Sequence, residues 1–200
     1  MIQRRAVGRP RSFSPEAALD RAVVSFWKRG FDGTDLDSIA REIGVTKPSL
    51  YRIFGDKASL FLLALHRYNA TYGQKALAAF QAEPDIARAV TYFLEITVKL
   101  GTMKGYPTGC LMACVAAGQA ARSIQVRKYY AGGLAQLTDA LAKRFQREQE
   151  AGNISTRLPA IARAQLLTDA VQGIAIRARA GVSRRELLNS VQHYVRALID

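Results

Sequence analysis

Side chains that donate hydrogen bonds or carry positive charge are concentrated between positions 46 and 52. Thr46, Ser49 and Tyr51 carry hydroxyl groups, and Lys47 and Arg52 carry positive charges. Groups of these types bind phosphate oxygens and the edges of nucleic-acid bases. This segment is therefore a candidate nucleic-acid contact, provided that one structural element presents the side chains together.

The spacing of the apolar residues predicts that element to be a short helix over residues 47–54. Leu50 and Phe54 lie four positions apart and, with Val45, would pack in a small core. Thr46 is suited to capping the helix, and Pro48 is early enough to need no amide hydrogen. The outward face would then carry Lys47, Pro48, Ser49, Tyr51 and Arg52.

A second short helix is predicted directly before this one. Apolar residues recur at helical spacing at Leu36, Ile39, Ala40 and Ile43. We expect Thr34 to cap its start and Gly44 to end it. Two short helices joined by a tight turn with glycine make a helix-turn-helix, whose second helix enters the major groove of DNA.

Phosphate contacts are also predicted outside the second helix. Lys57 would lie in the first turn of the following helix, where its charge and free N–H groups could bind one phosphate, and Thr34 could do the same. The first eleven residues hold four arginines and no acidic residue. We expect Arg9 and Arg11 to enter the minor groove; the alternative is a disordered, solubilising tail.

Composition favours a polyanionic partner. The 200 residues include 29 Lys and Arg against 16 Asp and Glu, a formal net charge of +13. The apolar runs, such as residues 60–65, are all far shorter than the roughly 20 residues of a membrane span, and no apolar stretch follows the N-terminal arginines. We therefore expect a cytoplasmic protein with no membrane partner.

The N-terminal part resembles the DNA-binding domain of the tetracycline-repressor (TetR) family of bacterial transcriptional regulators. The resemblance is carried by Phe26, Gly30-Phe31, Gly33-Thr34, Ile39-Ala40, Gly44-Val45, Pro48-Ser49-Leu50-Tyr51, Phe54, Asp56-Lys57 and Leu60. It implies a homodimer that binds a palindromic double-stranded DNA operator. It also implies a C-terminal domain that binds a small effector and, through its last two helices, the other subunit.

Helical periodicity continues along the whole chain and predicts an all-α protein of about nine helices. We expect a helix-turn-helix domain with its basic arm over residues 1–56, and a helical regulatory and dimerisation domain over residues 57–200. An effector pocket would lie among the fifth to eighth helices. Its candidate lining residues, which core packing would explain equally well, are Tyr92, Phe93, Met103, Tyr106, Cys110, Met112, Tyr130, Gln172 and Arg177.

The last two predicted helices carry a face suited to pairing with a second subunit in a four-helix arrangement. Core packing within the monomer is the competing explanation. The candidate interface residues are Ala170, Gly173, Leu188, Val191, Tyr194 and Val195.

Cys110 and Cys114 lie four positions apart on a predicted helix and share a face. They are either two small buried hydrophobic residues, or Cys110 is a reactive thiolate whose pKa is lowered at the helix start. The loop over residues 103–110 is similar to one in relatives of the N-ethylmaleimide repressor, which use a cysteine to sense electrophiles. Two cysteines and two histidines make a zinc site improbable, and we expect neither a metal nor a cofactor.

An enzyme is disfavoured, because the sequence has no phosphate-binding glycine loop and no recognisable set of nucleophile, base and acid. The function predicted from these residues is a ligand-responsive DNA-binding regulator, a dimeric repressor released from its operator by a small effector. The alternative is a helical binding module whose basic arm contacts RNA or anionic lipid without sequence-specific DNA recognition.

Overall fold

The computed structural model describes residues 14–200, and all regular structure in that part of the chain is helical. The helices are α1 (Pro15–Arg29), α2 (Leu36–Glu42), α3 (Lys47–Phe54), α4 (Lys57–Tyr68), α5 (Gln74–Ala82), α6 (Ile86–Gly101), α7 (Ala117–Gln119), α8 (Ile124–Glu150), α9 (Ala160–Arg179) and α10 (Arg184–Ile199). The all-α prediction is confirmed. No helix of this described part is both long and apolar enough to cross a membrane.

Two wider, π-helical turns interrupt the regular geometry. Asn69–Gly73 joins α4 to α5 without a break, and Met112–Ala116 leads into α7. Helix α4, the first π turn and α5 together form one uninterrupted helical segment over residues 57–82. The π turn itself was not predicted, since it leaves no signal in the hydrophobic pattern.

The four N-terminal helices all begin at a capping side chain. Ser14, Thr46 and Asp56 accept hydrogen bonds from the amides three positions on, at 3.3, 3.4 and 2.7 Å. The predicted cap of α2, Thr34, is wrong by one residue: the Asp35 carboxylate accepts from the two amides that follow Leu36, each at 3.1 Å. Asp and Thr both cap helices well, so sequence alone does not choose between neighbours.

One hydrophobic cluster joins the helix-turn-helix to the start of α4. Phe26, Trp27 and Phe61 are fully buried in it, and the Phe26 and Phe61 rings lie edge to face with centroids 4.9 Å apart. Leu50 from α3 belongs to the same cluster. The second helix of the motif is therefore packed against α2 and α4, which fixes the direction of its exposed face.

A second cluster unites α5, α6, α9 and α10 with α8. The buried Arg144 of α8 bonds Glu148 at 2.6 Å and donates to the backbone oxygens of Glu83 and Pro84 at 2.9 and 2.8 Å. This guanidinium ties α8 to the loop between α5 and α6, where the carbonyls at the end of α5 need partners.

Helices α8 and α9 run straight through positions that could have interrupted them or their packing. The glycines at 132 and 133 lie within α8, which continues through them, and a Cβ at either position would meet no atom within 4 Å. On α9, Leu167 and Ile174 are fully buried, whereas Ile161 in the first turn is 51% exposed.

Candidate nucleic-acid interface and effector cavity

The α3 helix presents the predicted face to solvent. Leu50 and Phe54 are 1% and 8% exposed, whereas Tyr51 is 42% exposed, and Arg52 is exposed beside it. Lys47 and Pro48 are exposed and Ser49 is half-buried. The predicted division of α3 into a buried and an outward face is confirmed. Hydroxyl, ammonium and guanidinium donors therefore project from one short, capped helix.

Lys47 is held by an ion pair across the helix-turn-helix. Its Nζ lies 2.7 Å from Oδ2 of Asp37 on α2, and both groups are largely exposed. The hydrogen bond to Asp37 raises the pKa of Lys47 above its usual range. An exposed pair of this kind is weak and exchanges readily, so the ammonium remains available to a phosphate.

Lys57 lies at the start of α4 and points back toward the turn between α1 and α2. Its Nζ donates to the backbone oxygen of Asp32 at 3.3 Å and lies 4.9 Å from the centre of the Phe31 ring. The Asp56 carboxylate caps the same helix, and its bond with the Ser59 amide lowers the pKa of Asp56. The positive end of α4 is thus already paired with a carboxylate.

Thr34 does not occupy the surface position that was predicted for it. The residue is 2% exposed, and its hydroxyl donates to the backbone oxygen of Gly30 at 2.7 Å. A buried hydroxyl that closes the turn after α1 cannot bind a phosphate. The prediction of Thr34 as a DNA contact is therefore wrong. Arg9 and Arg11 lie outside the described residues.

A cavity of about 640 Å³ lies among α4, the first π turn, α6, α8 and α9. Five of the predicted lining residues are in its wall: Phe93, Cys110, Met112, Tyr130 and Gln172. The Tyr130 hydroxyl donates to Oε1 of Gln172 at 3.2 Å, which joins α8 to α9 across the wall. Lys128 and His66 also line the cavity, and none of the described lining residues is Asp or Glu.

Four predicted lining residues are not in the cavity wall. Tyr92 is exposed on α6, about 100° around the helix from its buried neighbour Phe93, and its hydroxyl accepts a hydrogen bond from Arg88. Met103 and Tyr106 lie in the loop beyond α6, and Arg177 pairs with Glu186 of α10 at 3.6 Å. These four predictions are corrected.

Sequence reasoning missed the aromatic side chains that α4 and its π turn supply to the cavity. Tyr68 and Tyr72 line it, and their rings lie 5.0 and 5.8 Å from the ring of Trp27 on α1. Burial raises the pKa of Tyr68 far above its usual range. The four-residue spacing of the two tyrosines was the one signal in the sequence that they share a helix face. Nothing in the sequence indicated the π turn that contains Tyr72.

Cys110 lies two residues before the start of the second π turn, but its environment does not favour a thiolate. Burial raises the pKa of the Cys110 thiol above its usual range, although hydrogen bonding from Tyr68 and the amides of Met112 and Ala113 acts in the opposite direction. The Sγ of Cys114 lies 3.6 Å from the backbone oxygen of Ala175. Desolvation therefore outweighs the helix-start effect from which a lowered pKa was predicted.

The predicted dimer face divides between core and surface. Ala170 and Val191 are 5% and 3% exposed and belong to the monomer's own second cluster, so their assignment to a subunit interface is corrected. The half-buried members are Gly173, Leu188, Tyr194 and Val195. The structure adds Leu166 and Ile176, whose side chains are 49% and 55% exposed on α9.

Comparisons with known proteins agree with this architecture. Residues 18–64 match the family model of bacterial regulatory proteins, tetR family. The chain is 29% identical to the HTH-type transcriptional repressor ComR of Escherichia coli K12, covering 90% of this chain and 87% of that protein. It is 28% identical to the repressor BdcR of the same strain, covering 92% of this chain and 89% of that protein.

A solved structure extends the likeness to nearly the full length. The TetR-family regulator CifR, in a cysteine mutant complexed with 26-bp double-strand operator DNA, superposes with a TM-score of 0.86 at 28% identity. The match covers 94% of this chain and 99% of that one.

A short, capped second helix with an outward polar face defines a helix-turn-helix DNA-binding regulator. The matched family model, the two repressors and the operator-bound neighbour make the assignment specific. Residues 18–64 of this chain match the tetR family of bacterial regulatory proteins, and nearly the whole chain is similar to DNA-binding transcriptional repressors of the TetR type, which are not enzymes.

Proposed function

We propose that this protein is a dimeric repressor that binds a palindromic operator through α3 and is released when a small effector enters the cavity. The observation that carries the proposal is the outward face of α3, held on a buried core in a chain that superposes on an operator-bound regulator. The contacting residues we propose are Arg9, Arg11, Thr46, Lys47, Pro48, Ser49, Tyr51, Arg52 and Lys57.

The cavity supports the release step. A volume of about 640 Å³ is in the range of small-molecule sites, and its wall combines apolar side chains with a few hydroxyl and amide groups. Because the described wall has the ammonium of Lys128 and no carboxylate, it suits a neutral or anionic effector better than a cation. We assign Phe93, Cys110, Met112, Tyr130 and Gln172 to effector binding.

The proposed functions are assigned to two consecutive segments of the chain. We assign residues 1–56 to DNA binding and residues 57–200 to effector binding and dimerisation in a cytoplasmic regulator. Exposed Leu166 and Ile176 on α9, with half-buried Leu188 and Val195 seven positions apart on α10, offer an apolar face for a second subunit. Gly173 and Tyr194 complete the proposed interface.

The test of DNA recognition is selection of bound sites from random duplexes, followed by affinity measurements on the selected duplex. Tyr51→Ala is expected to weaken binding about tenfold, in line with the loss of one contact at a groove. The matched control is Tyr92→Ala, since Tyr92 is 38% exposed on a helix remote from α3 in sequence. Wild-type affinity in a folded Tyr51→Ala chain contradicts the assignment of α3.

The same selection separates this proposal from other basic binding modules. A palindromic consensus is expected, with half-sites about one DNA turn apart or a multiple of it. Recovery of no preferred duplex, together with binding to RNA or to anionic vesicles, would overturn the operator-binding function.

Oligomeric state is tested by sedimentation of the full chain. Ile176→Arg is expected to convert a dimer to a monomer, because it places a charge in the proposed apolar face, whereas Ile124→Arg alters an exposed isoleucine on α8 outside that face. A dimer that survives Ile176→Arg unchanged would place the interface elsewhere.

A further inference from the structure

Arg179, in the last turn of α9, bonds to two separate parts of the molecule. Its Nη1 donates to the backbone oxygen of Trp27 at 2.9 Å, and its Nη2 to that of Lys28 at 3.3 Å. The same Nη1 donates to the backbone oxygen of Thr108 at 3.2 Å. One guanidinium therefore joins the end of α1 to the loop that follows α6.

The contact at α1 satisfies carbonyls that the helix itself leaves open. The last carbonyls of a helix have no partner within it, and they carry the negative end of the helix dipole. At α1 the Phe26 oxygen accepts from the Gly30 amide at 2.9 Å, so Arg179 supplies donors to the next two carbonyls. Charge-assisted bonds of this kind are stronger than neutral ones.

The contact at Thr108 reaches the wall of the cavity. Gly109 and Cys110, the next two residues, both line it. Gly109 has φ +80°, and a Cβ there would lie 2.8 Å from Sγ of Cys114 and 2.9 Å from the backbone oxygen of Ala175. Because Gly109 is packed this closely, a displacement of the wall at Cys110 is transmitted to Thr108.

A second link between the same regions is weaker. Arg122, before α8, lies 2.8 Å from Asp32 in the turn after α1, but their side chains are 70% and 71% exposed. An ion pair at that exposure contributes little. The bonds of Arg179 are the ones whose acceptors are fixed backbone groups.

We propose that Arg179 is a positioning residue that couples the cavity wall to the helix-turn-helix. It holds the end of α1 in the orientation suited to the operator while Thr108 is in place, and it shifts when the wall at Gly109 and Cys110 moves. This inference rests on the proposed operator-binding function, and its test includes one measurement that needs no DNA.

The variant is Arg179→Gln, and the matched control is Arg177→Gln. The control removes the same charge two residues away on α9, where the side chain pairs with Glu186 of α10 instead of α1. Hydrogen exchange in the full-length chain without DNA is the first measurement. Faster exchange confined to residues 28–34 and 101–110 is expected in Arg179→Gln alone. Unchanged exchange, or an increase spread over all helices, overturns the coupling.

The second measurement is affinity for the selected duplex as a function of salt. Arg179→Gln is expected to bind about tenfold more weakly, a coupling of ordinary size, with the salt slope of the wild type. An affinity equal to that of Arg177→Gln overturns the positioning role. A reduced salt slope also overturns it, because Arg179 would then be a phosphate contact.

The third measurement reads the coupling in the reverse direction, since coupling between two sites is reciprocal. In a Cys114→Ser background, the reaction of Cys110 with 5,5′-dithiobis(2-nitrobenzoate) is followed with and without the duplex. The duplex is expected to change the rate in the wild type and in Arg177→Gln, but not in Arg179→Gln. A rate that never depends on the duplex, or still depends on it in Arg179→Gln, overturns the proposal.

Failure of the proposed function has a different signature. If selection recovers no duplex, operator binding is wrong, and hydrogen exchange alone still decides whether Arg179 holds the end of α1 to the loop over residues 101–110.

Discussion

The helix-turn-helix and the cavity differ in how some of their helical segments begin. In the first region α1, α2, α3 and α4 each begin at a side-chain cap, and α3 lies on a buried core. In the cavity wall the π turns Asn69–Gly73 and Met112–Ala116 have no side-chain cap. Short helices with capped ends hold a surface in one orientation. Wider π turns are instead frequent at functional sites, where a helix changes its backbone hydrogen bonding.

The difference indicates where each region can tolerate movement. A surface that contacts base edges needs side chains fixed to within fractions of an ångström, and caps and core contacts provide this. A cavity that changes shape on binding needs helix segments with more than one hydrogen-bonding arrangement. The following four predictions test this contrast, from the largest expected effect to the smallest.

Truncation of Leu50 should be the most damaging. Leu50→Ala leaves a void under α3, at a residue that is 1% exposed, and is expected to lower the free energy of unfolding by about 2–5 kcal/mol. Leu100→Ala, at a half-buried residue of the cavity wall, should cost about half as much or less, because that side already faces open space. Urea unfolding of both variants gives the comparison. Equal losses would show that the two regions are packed alike.

Replacement by alanine should change the free energy of unfolding in opposite directions at two glycines. Gly109→Ala is expected to destabilise the chain by about 2 kcal/mol, since its φ is +80° and the new Cβ would meet Sγ of Cys114 at 2.8 Å. Gly132→Ala is expected to stabilise it by up to about 1 kcal/mol, because α8 has room there and alanine favours helix. Thermal unfolding reports both. Destabilisation by Gly132→Ala would mean that α8 needs its glycine.

Removal of a cap should have a moderate, local cost. Asp35→Ala removes the acceptor for two amides of α2 and is expected to cost about 1 kcal/mol. Asp35→Asn keeps an acceptor and should cost only a fraction of that value. Loss of the same size in both variants would show that the negative charge, and not the cap, stabilises α2.

The pH dependence of Cys110 should change least. Because burial raises the pKa of its thiol, alkylation of Cys110 by iodoacetamide in a Cys114→Ser chain should reach half its maximal rate above the pH expected for a free cysteine. The folded chain then binds this proton more tightly than the unfolded chain, so its contribution to stability falls as the pH rises above the ordinary thiol value. If the alkylation rate reached half its maximum at a pH below that of a free cysteine, the interpretation of Cys110 as a reactive thiolate would be correct after all.

Prediction from the sequence was more accurate for the helix-turn-helix than for the cavity. In α3, the Leu50 and Phe54 spacing and the Thr46 cap are local signals, and they identified both the helix and its outward face. The error at Thr34 was one residue, since Asp35 is an equally good cap. Local rules therefore predicted the exposed face of α3, and its contact with DNA stays a prediction.

Only about half of the predicted cavity-lining residues are in the wall of the cavity. Its wall draws on segments from His66 to Ala175, which periodicity places on helices without saying which helices meet. Phe93 was predicted correctly and its neighbour Tyr92 was not, because the two lie on different faces of α6. On α9 and α10, periodicity marked Ala170 and Val191 as apolar but could not say whether the chain's own core or a second chain covers them.

The position of Trp27 allows its intrinsic fluorescence to report on two parts of the molecule. It is the only tryptophan in the chain, it is fully buried, and its indole nitrogen has no hydrogen-bond partner among the described residues. Its ring lies against Tyr68 and Tyr72, which line the cavity, while its carbonyl accepts from Arg179. The emission of this single tryptophan should therefore change when either the tyrosines of the cavity wall or the end of α1 move, with no label attached.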